Sequence, residues 1–405
     1  MKIGIDLRAL QTGHKFRGIG EVSKQVTDRI LQLAKADKEH DISFVFYEYN
    51  DDDPKKLLTI PSGLEYEVVK LGIMPENDMQ ASKSQKMQRH IKNLYGHPIK
   101  DSAKSDIYLQ FDYAFGVPKN TKTLLIKHDL IPYVFWDKYF DSAMKHFKNK
   151  AMRSTLRTLF HNYRFMRILR RSLKNAHVIV GVSESTKNDV VRYFKTSPDK
   201  VKTALLGVDV KPAKTNEVDQ STLRPTKPYL LFVGAGDSRR RVDDAVAAFN
   251  SLKADGRDIQ LVLVGENFKQ PSMIPNKIVR DAVLNSSYKN DILTLGYVDD
   301  ATKQSLYKGA ISYVYPTKYE GFGIPVLESM LLECPIITYR NSSIPEVGGE
   351  YAIYVNDWVG IKLEVEKLLD QSPGMREKTV QDAKRHAEKF TWDKTAKVIY
   401  AELLG

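Results

Sequence analysis

Short apolar runs alternate with helix-like patterns twice over along this chain, and that repetition leaves few folds open to it. The first set is Lys2–Asp6, Ile42–Tyr47, Ile107–Phe111, Thr123–Lys127, His177–Val182 and Val201–Leu206. The second is Tyr229–Val233, Gln260–Val264, Ile292–Leu295, Ile311–Tyr315 and Pro335–Tyr339. Runs of this length rich in Val, Ile, Leu and Phe suit strands buried on both faces, and the stretches between them are long enough for crossover helices. Each set therefore predicts an α/β domain with a doubly wound parallel sheet. Between the sets, residues 208–227 are polar, contain Pro212 and Pro225, and lack periodicity, which reads as a linker. The chain's 405 residues and 42% hydrophobic content are enough for two cores, in domains 1–207 and 228–389.

One segment carries chemistry within this plan. Tyr319-Glu320-Gly321-Phe322-Gly323-Ile324-Pro325-Val326-Leu327-Glu328 follows the strand-like Ala310–Pro316 and runs into a helical pattern over Pro325–Leu332, with proline in the first turn. Glu320 then sits at a strand's carboxyl end and Glu328 in the helix. In an open parallel sheet the ligand crevice lies beyond those ends. Gly321 and Gly323 let backbone approach a phosphate, and the helix's first amides point to the same place. The two glutamates can accept hydrogen bonds from hydroxyls on either side of it, which a sugar joined to a nucleoside through a diphosphate provides. Surface charge plus a helix cap would give the same pair of glutamates.

The surrounding strings extend the pattern: Leu295-Gly296-Tyr297-Val298, Pro316-Thr317, Glu320-Gly321-Phe322-Gly323, Pro325-Val326-Leu327-Glu328 and Ser343-Ile344-Pro345-Glu346-Val347. Together they resemble the E-x7-E signature of retaining glycosyltransferases of the GT-B fold, in glycosyltransferase family 4. The resemblance implies two Rossmann-like domains facing each other across a cleft, with the acceptor side in the first and the nucleotide sugar in the second. It implies donor binding by Val298, Gly321, Phe322, Gly323 and Ile324, sugar hydroxyls held by Glu320, and the ribose held by Glu328. Phe390-Thr391-Trp392-Asp393, followed by Ala396, Val398, Ile399 and Leu403, resembles the family's last helix, which implies that 390–405 cross back to the first domain.

Three further loops bear on the site. Thr12-Gly13-His14-Lys15-Phe16-Arg17-Gly18-Ile19-Gly20 opens a helical pattern that begins at Gly20, with Val22, Val26, Ile30 and Leu33 on one face. Such a loop can receive a diphosphate or be an ordinary strand-to-helix turn, and Ser23 in place of a third glycine disfavours a dinucleotide fingerprint. Arg17-Gly18-Ile19-Gly20 and His128-Asp129-Leu130-Ile131-Pro132 resemble a subgroup of family 4 containing many mannosyltransferases. By that resemblance Gly18 and Gly20 close over the donor phosphates, His128 contacts the donor sugar near the reacting carbon, and Arg17 and Asp129 lie toward the acceptor. The third loop, Gly234-Ala235-Gly236-Asp237-Ser238-Arg239-Arg240-Arg241, places cations between a strand and a helix, where arginine can grip a departing diphosphate with paired hydrogen bonds. Family members carry an arginine and a lysine there. Counting back from Phe249 puts Arg240 in the lysine's place with Arg239 as its partner, and which two of Arg239, Arg240 and Arg241 reach the phosphates stays open. Glu333, where the family has a small residue, reads as the acidic C-terminus of a helix.

The chemistry implied is transfer of a hexosyl or deoxyhexosyl group from a nucleotide diphosphate sugar to an acceptor hydroxyl with retention, with Glu320, His128 and Arg240 as the catalytic set. Arg239, Arg240 and backbone donors at Gly20 and Gly323 stabilise the growing charge on the leaving group. The leaving phosphate takes the acceptor's proton, so no dedicated base is assigned. A glycosidase pair of carboxylates has no need of phosphate-ready loops. Asp51-Asp52-Asp53 stands in a loop sequence ending at Pro54 and reads as surface rather than as a cation site, so neither metal nor cofactor is expected. A non-catalytic GT-B subunit that binds acceptor or a partner transferase is the alternative, and a nucleotide-sugar epimerase a more distant one.

The formal net charge of +12 is uneven. Between Asp141 and Glu184 there is no acid, while Lys145, Lys148, Lys150, Arg153, Arg157, Arg164, Arg167, Arg170, Arg171 and Lys174 fall there. Met152, Leu156, Leu159, Tyr163, Met166 and Leu173 form an apolar stripe beside this basic face. The pattern fits either a helix lying on an anionic membrane surface near a lipid-linked glycan acceptor, or a stripe packed on the first domain. Nothing resembles a nucleic-acid readout module. No run of about eighteen apolar residues exists, Met1–Asp6 reads as a strand with no secretory h-region, and Cys334 is the only cysteine. These features predict a cytoplasmic enzyme, and the membrane alternative would make it peripheral on the inner face of the cell membrane.

Overall fold

The computed structural model describes residues 1–12, 15, 18–49, 53–71, 103–111, 116–118, 120–135, 152–210 and 224–405. These fall into two compact units, Met1–Gly207 with Trp392–Gly405, and Val208–Thr391. Most of the stretch read as a linker, along with Arg17, Asp51, Asp52, Lys145, Lys148 and Lys150, lies outside the described residues.

In the first unit, strands β1 (Lys2–Asp6), β2 (Ser43–Glu48), β3 (Tyr66–Lys70), β4 (Ile107–Gln110), β5 (Lys122–Lys127), β6 (Val178–Gly181) and β7 (Val201–Thr203) form one sheet. Its order is β3-β2-β1-β4-β5-β6-β7, and every pairing is parallel. Helix α1 (Gly18–Ala36) follows β1 and buries Val22, Val26 and Ile30, starting two residues before the predicted Gly20. Helices α2 (Met152–Asn175) and α3 (Glu184–Phe194) flank β6. Leu169 and Leu173 of α2 pack with Leu125, Ile179 and Val190 in the core. In this half of α2 the apolar stripe is core, with Met166 and Leu173 buried, Tyr163 exposed, and Arg167, Arg170, Arg171 and Lys174 facing solvent. None of the described helices is long and apolar enough to cross a membrane.

The second unit has β8 (Tyr229–Val233), β9 (Gln260–Val264), β10 (Ile292–Gly296), β11 (Ser312–Tyr315), β12 (Ile336–Tyr339) and β13 (Ile353–Val355), in the order β10-β9-β8-β11-β12-β13, again all parallel. Both sheets thus have the doubly wound order in which the first strand of the unit and the fourth strand in its winding sequence are neighbours, and the chain reverses its winding between them. The helices include α4 (Val242–Ala254), α5 (Lys277–Leu284), α6 (Asp300–Gly309), α7 (Ile324–Leu331), α8 (Ile344–Gly348), α9 (Trp358–Asp370) and α10 (Pro373–Ala387). Two strands escaped the reading of the sequence. Both β3 and β13 lie at sheet edges; β3 carries alternating charge and is mostly half-exposed, and β13 is only 3 residues long, so neither presents a sustained apolar run.

Helix α11 (Trp392–Leu404) closes the chain against α1 of the first unit. Arg29 Nε donates to Asp393 Oδ1 at 2.8 Å, Tyr400 donates to Asp37 at 2.8 Å, and Thr395 Oγ1 donates to the Leu205 carbonyl at 2.7 Å. Trp392, with Ala396, Ile399 and Leu403, forms the buried face. Replacing Trp392 by Ala removes the largest side chain of that face and is expected to cost about 3–5 kcal/mol. In calorimetry of the whole chain the loss should appear in the transition of the first unit, and an unchanged first-unit transition would mean that α11 contributes little to it.

Candidate functional site

The reversal of winding in the second unit lies between β8 and β11, and the loops that leave these two strands bring the predicted cations and the first glutamate together. After β8 the chain turns through Gly234 and a short 3-10 helix, Ser238–Arg240. Gly234 has φ +143, and the Arg240 guanidinium occupies the place where a Cβ would stand, so any side chain there meets both strain and a clash. After β11, Pro316–Gly323 forms the loop that holds Glu320.

Glu320 is 8% exposed, and one of its oxygens gathers most of its partners. Oε1 accepts from Arg239 Nη1, from the Tyr315 hydroxyl, and from Thr317 Oγ1 at 3.1 Å. Arg240 Nε is 3.5 Å from the same oxygen, and the Arg240 guanidinium lies over the Tyr315 ring at 5.7 Å. Arg239 also donates to the Tyr319 carbonyl at 2.8 Å, and its own carbonyl accepts from Lys318 N at 2.8 Å, which ties the two loops together. Burial alone would raise the Glu320 carboxyl pKa. The charges of Arg239 and Arg240, with the Tyr315 hydrogen bond, outweigh burial and hold it below the ordinary value. Burial pushes the Tyr315 phenol well up, so it stays a donor.

Arg241 does not join them. It adopts a left-handed backbone, φ 46, and turns its guanidinium to Asp243 at 2.8 Å and Asp244 at 2.6 Å. Of the three arginines, Arg239 and Arg240 therefore face Glu320, and Arg241 does not.

A third loop, after β12, fixes the backbone around Glu320. Asn341 Nδ2 donates to the Thr317 carbonyl at 2.7 Å, Ser342 Oγ accepts from Glu320 N at 2.9 Å, and Ser343 Oγ donates to the carbonyls of Glu320 at 2.9 Å and Phe322 at 2.7 Å. Ser342 holds φ 44 to do so. Ser343 belongs to a string that the sequence singled out, but its role as a staple depends on a contact 23 residues away in sequence. Gly323, at φ +112, begins α7, whose N-terminus has no side-chain cap. The amides at Gly323 and Ile324 thus start a helix whose N-cap residue brings no side-chain hydrogen bond. Gly321 and Phe322 are buried in the same turn.

Glu328 lies farther along α7, where its Oε1 accepts from Lys303 Nζ of α6 at 3.2 Å. Lys303 was not predicted; it stands in an ordinary helical pattern, and only the packing of α6 beside α7 pairs it with Glu328. Val298, half-buried, is in the β10–α6 loop that leads to it. Glu333 has a left-handed backbone at the end of α7, and Lys384 at 2.6 Å offsets its charge.

In the first unit, Gly18 is the exposed first residue of α1 and Gly20 is buried. His128 follows β5, and its Nε2 lies 2.8 Å from the Phe111 carbonyl. A carbonyl only accepts, so that nitrogen carries a proton. Asp129 accepts from Ile131 N at 2.8 Å and so starts the one-turn helix Ile131–Val134. A buried pair missed by the sequence reading, Arg8 with Asp6 at 2.7 Å, stands at the carboxyl end of β1. Asp53, from the acidic run, caps the one-turn helix Pro54–Leu57.

Residues 213–386 match the family model described as glycosyl transferases group 1. The O-antigen chain mannosyltransferase B of Escherichia coli is 28% identical over 233 residues, which cover 56% of this chain and 60% of that protein. The chain spans roughly half the length of the curated relatives it matches. Among solved structures, a glycosyltransferase from Rickettsia africae superposes over 100% of this chain and 98% of that one, with TM-score 0.62 and 16% identity. Anabaena Alr3699/HepE, solved in complex with UDP and glucose, covers 100% of this chain and 99% of its own, with TM-score 0.60 and 12% identity. These likenesses and the two parallel sheets show a GT-B fold built from two Rossmann-like domains.

The depressed Glu320 pKa has a consequence for stability. A carboxyl whose folded value lies below its unfolded one contributes stability that is present above the unfolded value and is lost as pH falls through the folded value. The second unit of the native chain is expected to lose melting temperature, as pH falls below the ordinary glutamate value of about 4.3, more steeply than that of Glu320→Gln. Parallel slopes would show that the ion pair with Arg239 and Arg240 gives no net stability.

Proposed function

We propose that this chain, whose second domain matches glycosyl transferases group 1, transfers a hexosyl or deoxyhexosyl group from a nucleotide diphosphate sugar to an acceptor hydroxyl with retention at the anomeric carbon. The observation that carries this reading is the meeting of Arg239, Arg240 and Glu320 beside the uncapped start of α7, at the winding reversal of the second sheet. Two guanidinium groups and helix amides suit a diphosphate, and a carboxylate next to them suits the hydroxyls of an attached sugar. As the bond to the diphosphate breaks, Arg239, Arg240 and the Gly323 turn stabilise the charge on the leaving group; each such donor is worth roughly 2–4 kcal/mol in a transition state. Glu328 takes the ribose hydroxyls. The leaving phosphate accepts the acceptor's proton, and the reaction needs no metal or cofactor. The name of the Escherichia coli relative favours mannose as the sugar and a growing glycan as the acceptor.

Binding of UDP, GDP, dTDP and ADP, followed by thermal shift, tests the donor site. A ligand that binds only the folded form stabilises it by RT ln(1 + [L]/Kd), about 2.7 kcal/mol at a hundredfold excess over Kd. One nucleotide should stabilise the native chain, less so Glu328→Ala or Arg240→Ala, and as before in Arg241→Ala. No stabilisation by any of the four at millimolar concentration would overturn the transferase reading in favour of a non-catalytic subunit.

The acceptor in this proposal is lipid-linked, and the solvent-facing Arg167, Arg170, Arg171 and Lys174 meet an anionic membrane surface by charge, at about 1 kcal/mol for each basic residue near it. The chain should co-sediment with phosphatidylglycerol vesicles and not with phosphatidylcholine vesicles, and replacing these four residues by Gln should abolish it. Equal sedimentation with both lipids would refute a charge-driven contact.

A further inference from the structure

The Glu320 cluster is electrically closed by its own residues. Arg239 and Arg240 bring two positive charges. Glu320 supplies one negative charge to both, and Asp237 supplies the other, 3.3 Å from Arg239 Nε and 3.7 Å from Arg240 Nε. The Arg241 charge is taken up by Asp243 and Asp244. A net-neutral pocket has little attraction for an anion. Yet Arg240 Nε is buried and makes no hydrogen bond among the described residues, so the site retains a donor that the Glu320 carboxylate approaches without satisfying.

We propose that Glu320 determines specificity by competing as an anion: its carboxylate stands on the arginines, and only a ligand that brings hydroxyl donors together with its diphosphate displaces it favourably. The inference rests on the assignment of Arg239 and Arg240 to a diphosphate made above. Inorganic phosphate or pyrophosphate can take the arginines, but it brings no hydroxyl groups and leaves a carboxylate at 8% exposure stripped of its charge partners, which is costly. A sugar attached to the diphosphate offers that carboxylate hydroxyl groups in the same molecule. Tyr315 and Thr317 are positioning residues in this scheme, because their hydroxyls hold Glu320 Oε1 on the arginine side.

The scheme predicts that removing the carboxylate improves the binding of a bare anion. In isothermal titration with inorganic pyrophosphate, Glu320→Gln should bind about tenfold more tightly than the native chain, a change of about 1.4 kcal/mol. Tyr315→Phe leaves the formal charge unchanged and keeps the ring under Arg240, and it should tighten binding by about two- to threefold because the carboxylate is held less firmly. Circular dichroism melting checks that each variant is folded, and if Glu320→Gln is not, Tyr315→Phe carries the decision. Unchanged or weaker pyrophosphate binding in the folded variants would overturn the inference and would mean that Glu320 orients the arginines rather than competing for them. If a nucleoside diphosphate stabilises the native chain in a Glu328-dependent way while pyrophosphate binding does not improve, the transferase reading stands and this inference falls. If no nucleoside diphosphate binds at all, it is the transferase reading that has failed.

Discussion

The contact between Glu320 and the pair Arg239 and Arg240 is the constraint around which the second domain is arranged. A carboxylate at 8% exposure is unfavourable by itself, and two guanidinium groups crowded together repel each other. Each is tolerated because the other is there. The surrounding hydrogen bonds then fix the geometry: Tyr315 and Thr317 hold the carboxylate, while Ser342 and Ser343 hold its backbone. Loss of the two arginine charges would leave the Glu320 carboxylate buried without its counter-charges, and loss of the carboxylate would leave Asp237 facing both arginines, which makes this a demanding arrangement to keep for stability alone.

Strand order is what brings the pair together. Residues 239 and 320 are 81 positions apart, and they meet because β8 and β11 are neighbours in a sheet whose other strands were laid down on either side of them. In open α/β sheets the ligand crevice lies beyond the carboxyl ends of the strands at such a reversal, and here the two loops are joined there by the amide of Lys318 donating to the Arg239 carbonyl. Helix α7 starts in the loop that carries Glu320, and Gly234 and Gly323 hold positive φ where a side chain would be strained and would crowd Arg240 or Ile344. The first sheet repeats this order, with the Arg8–Asp6 pair at the corresponding edge of β1.

Much of this was legible in the residues. The apolar runs gave the buried strands, because a parallel sheet covered on both faces needs uninterrupted Val, Ile and Leu. The edge strands β3 and β13 were not legible, since an edge can be short and mixed in polarity and still pair on one side. The half-described stripe of α2 illustrates another limit. Periodicity identified an apolar face beside a basic one, but whether that face meets core or membrane depends on what lies opposite, and Leu169 and Leu173 meet the core.

The sequence by itself determined the fold class and the kinds of groups available at the strand ends: three arginines in one loop, a glutamate ahead of two glycines in another, and a proline-initiated helix. These follow from local periodicity, turn chemistry and the resemblance of the strings. Only the tertiary structure decided which arginines face the glutamate and what holds it. Arg239 and Arg240 differ from Arg241 in direction, because the left-handed backbone at Arg241 turns its side chain back to Asp243 and Asp244. The pairing of Lys303 with Glu328, and the stapling of Glu320 by Ser342 and Ser343, join residues more than twenty positions apart. Such contacts are set by how helices and loops pack over a sheet, and side-chain type and spacing carry no record of that packing.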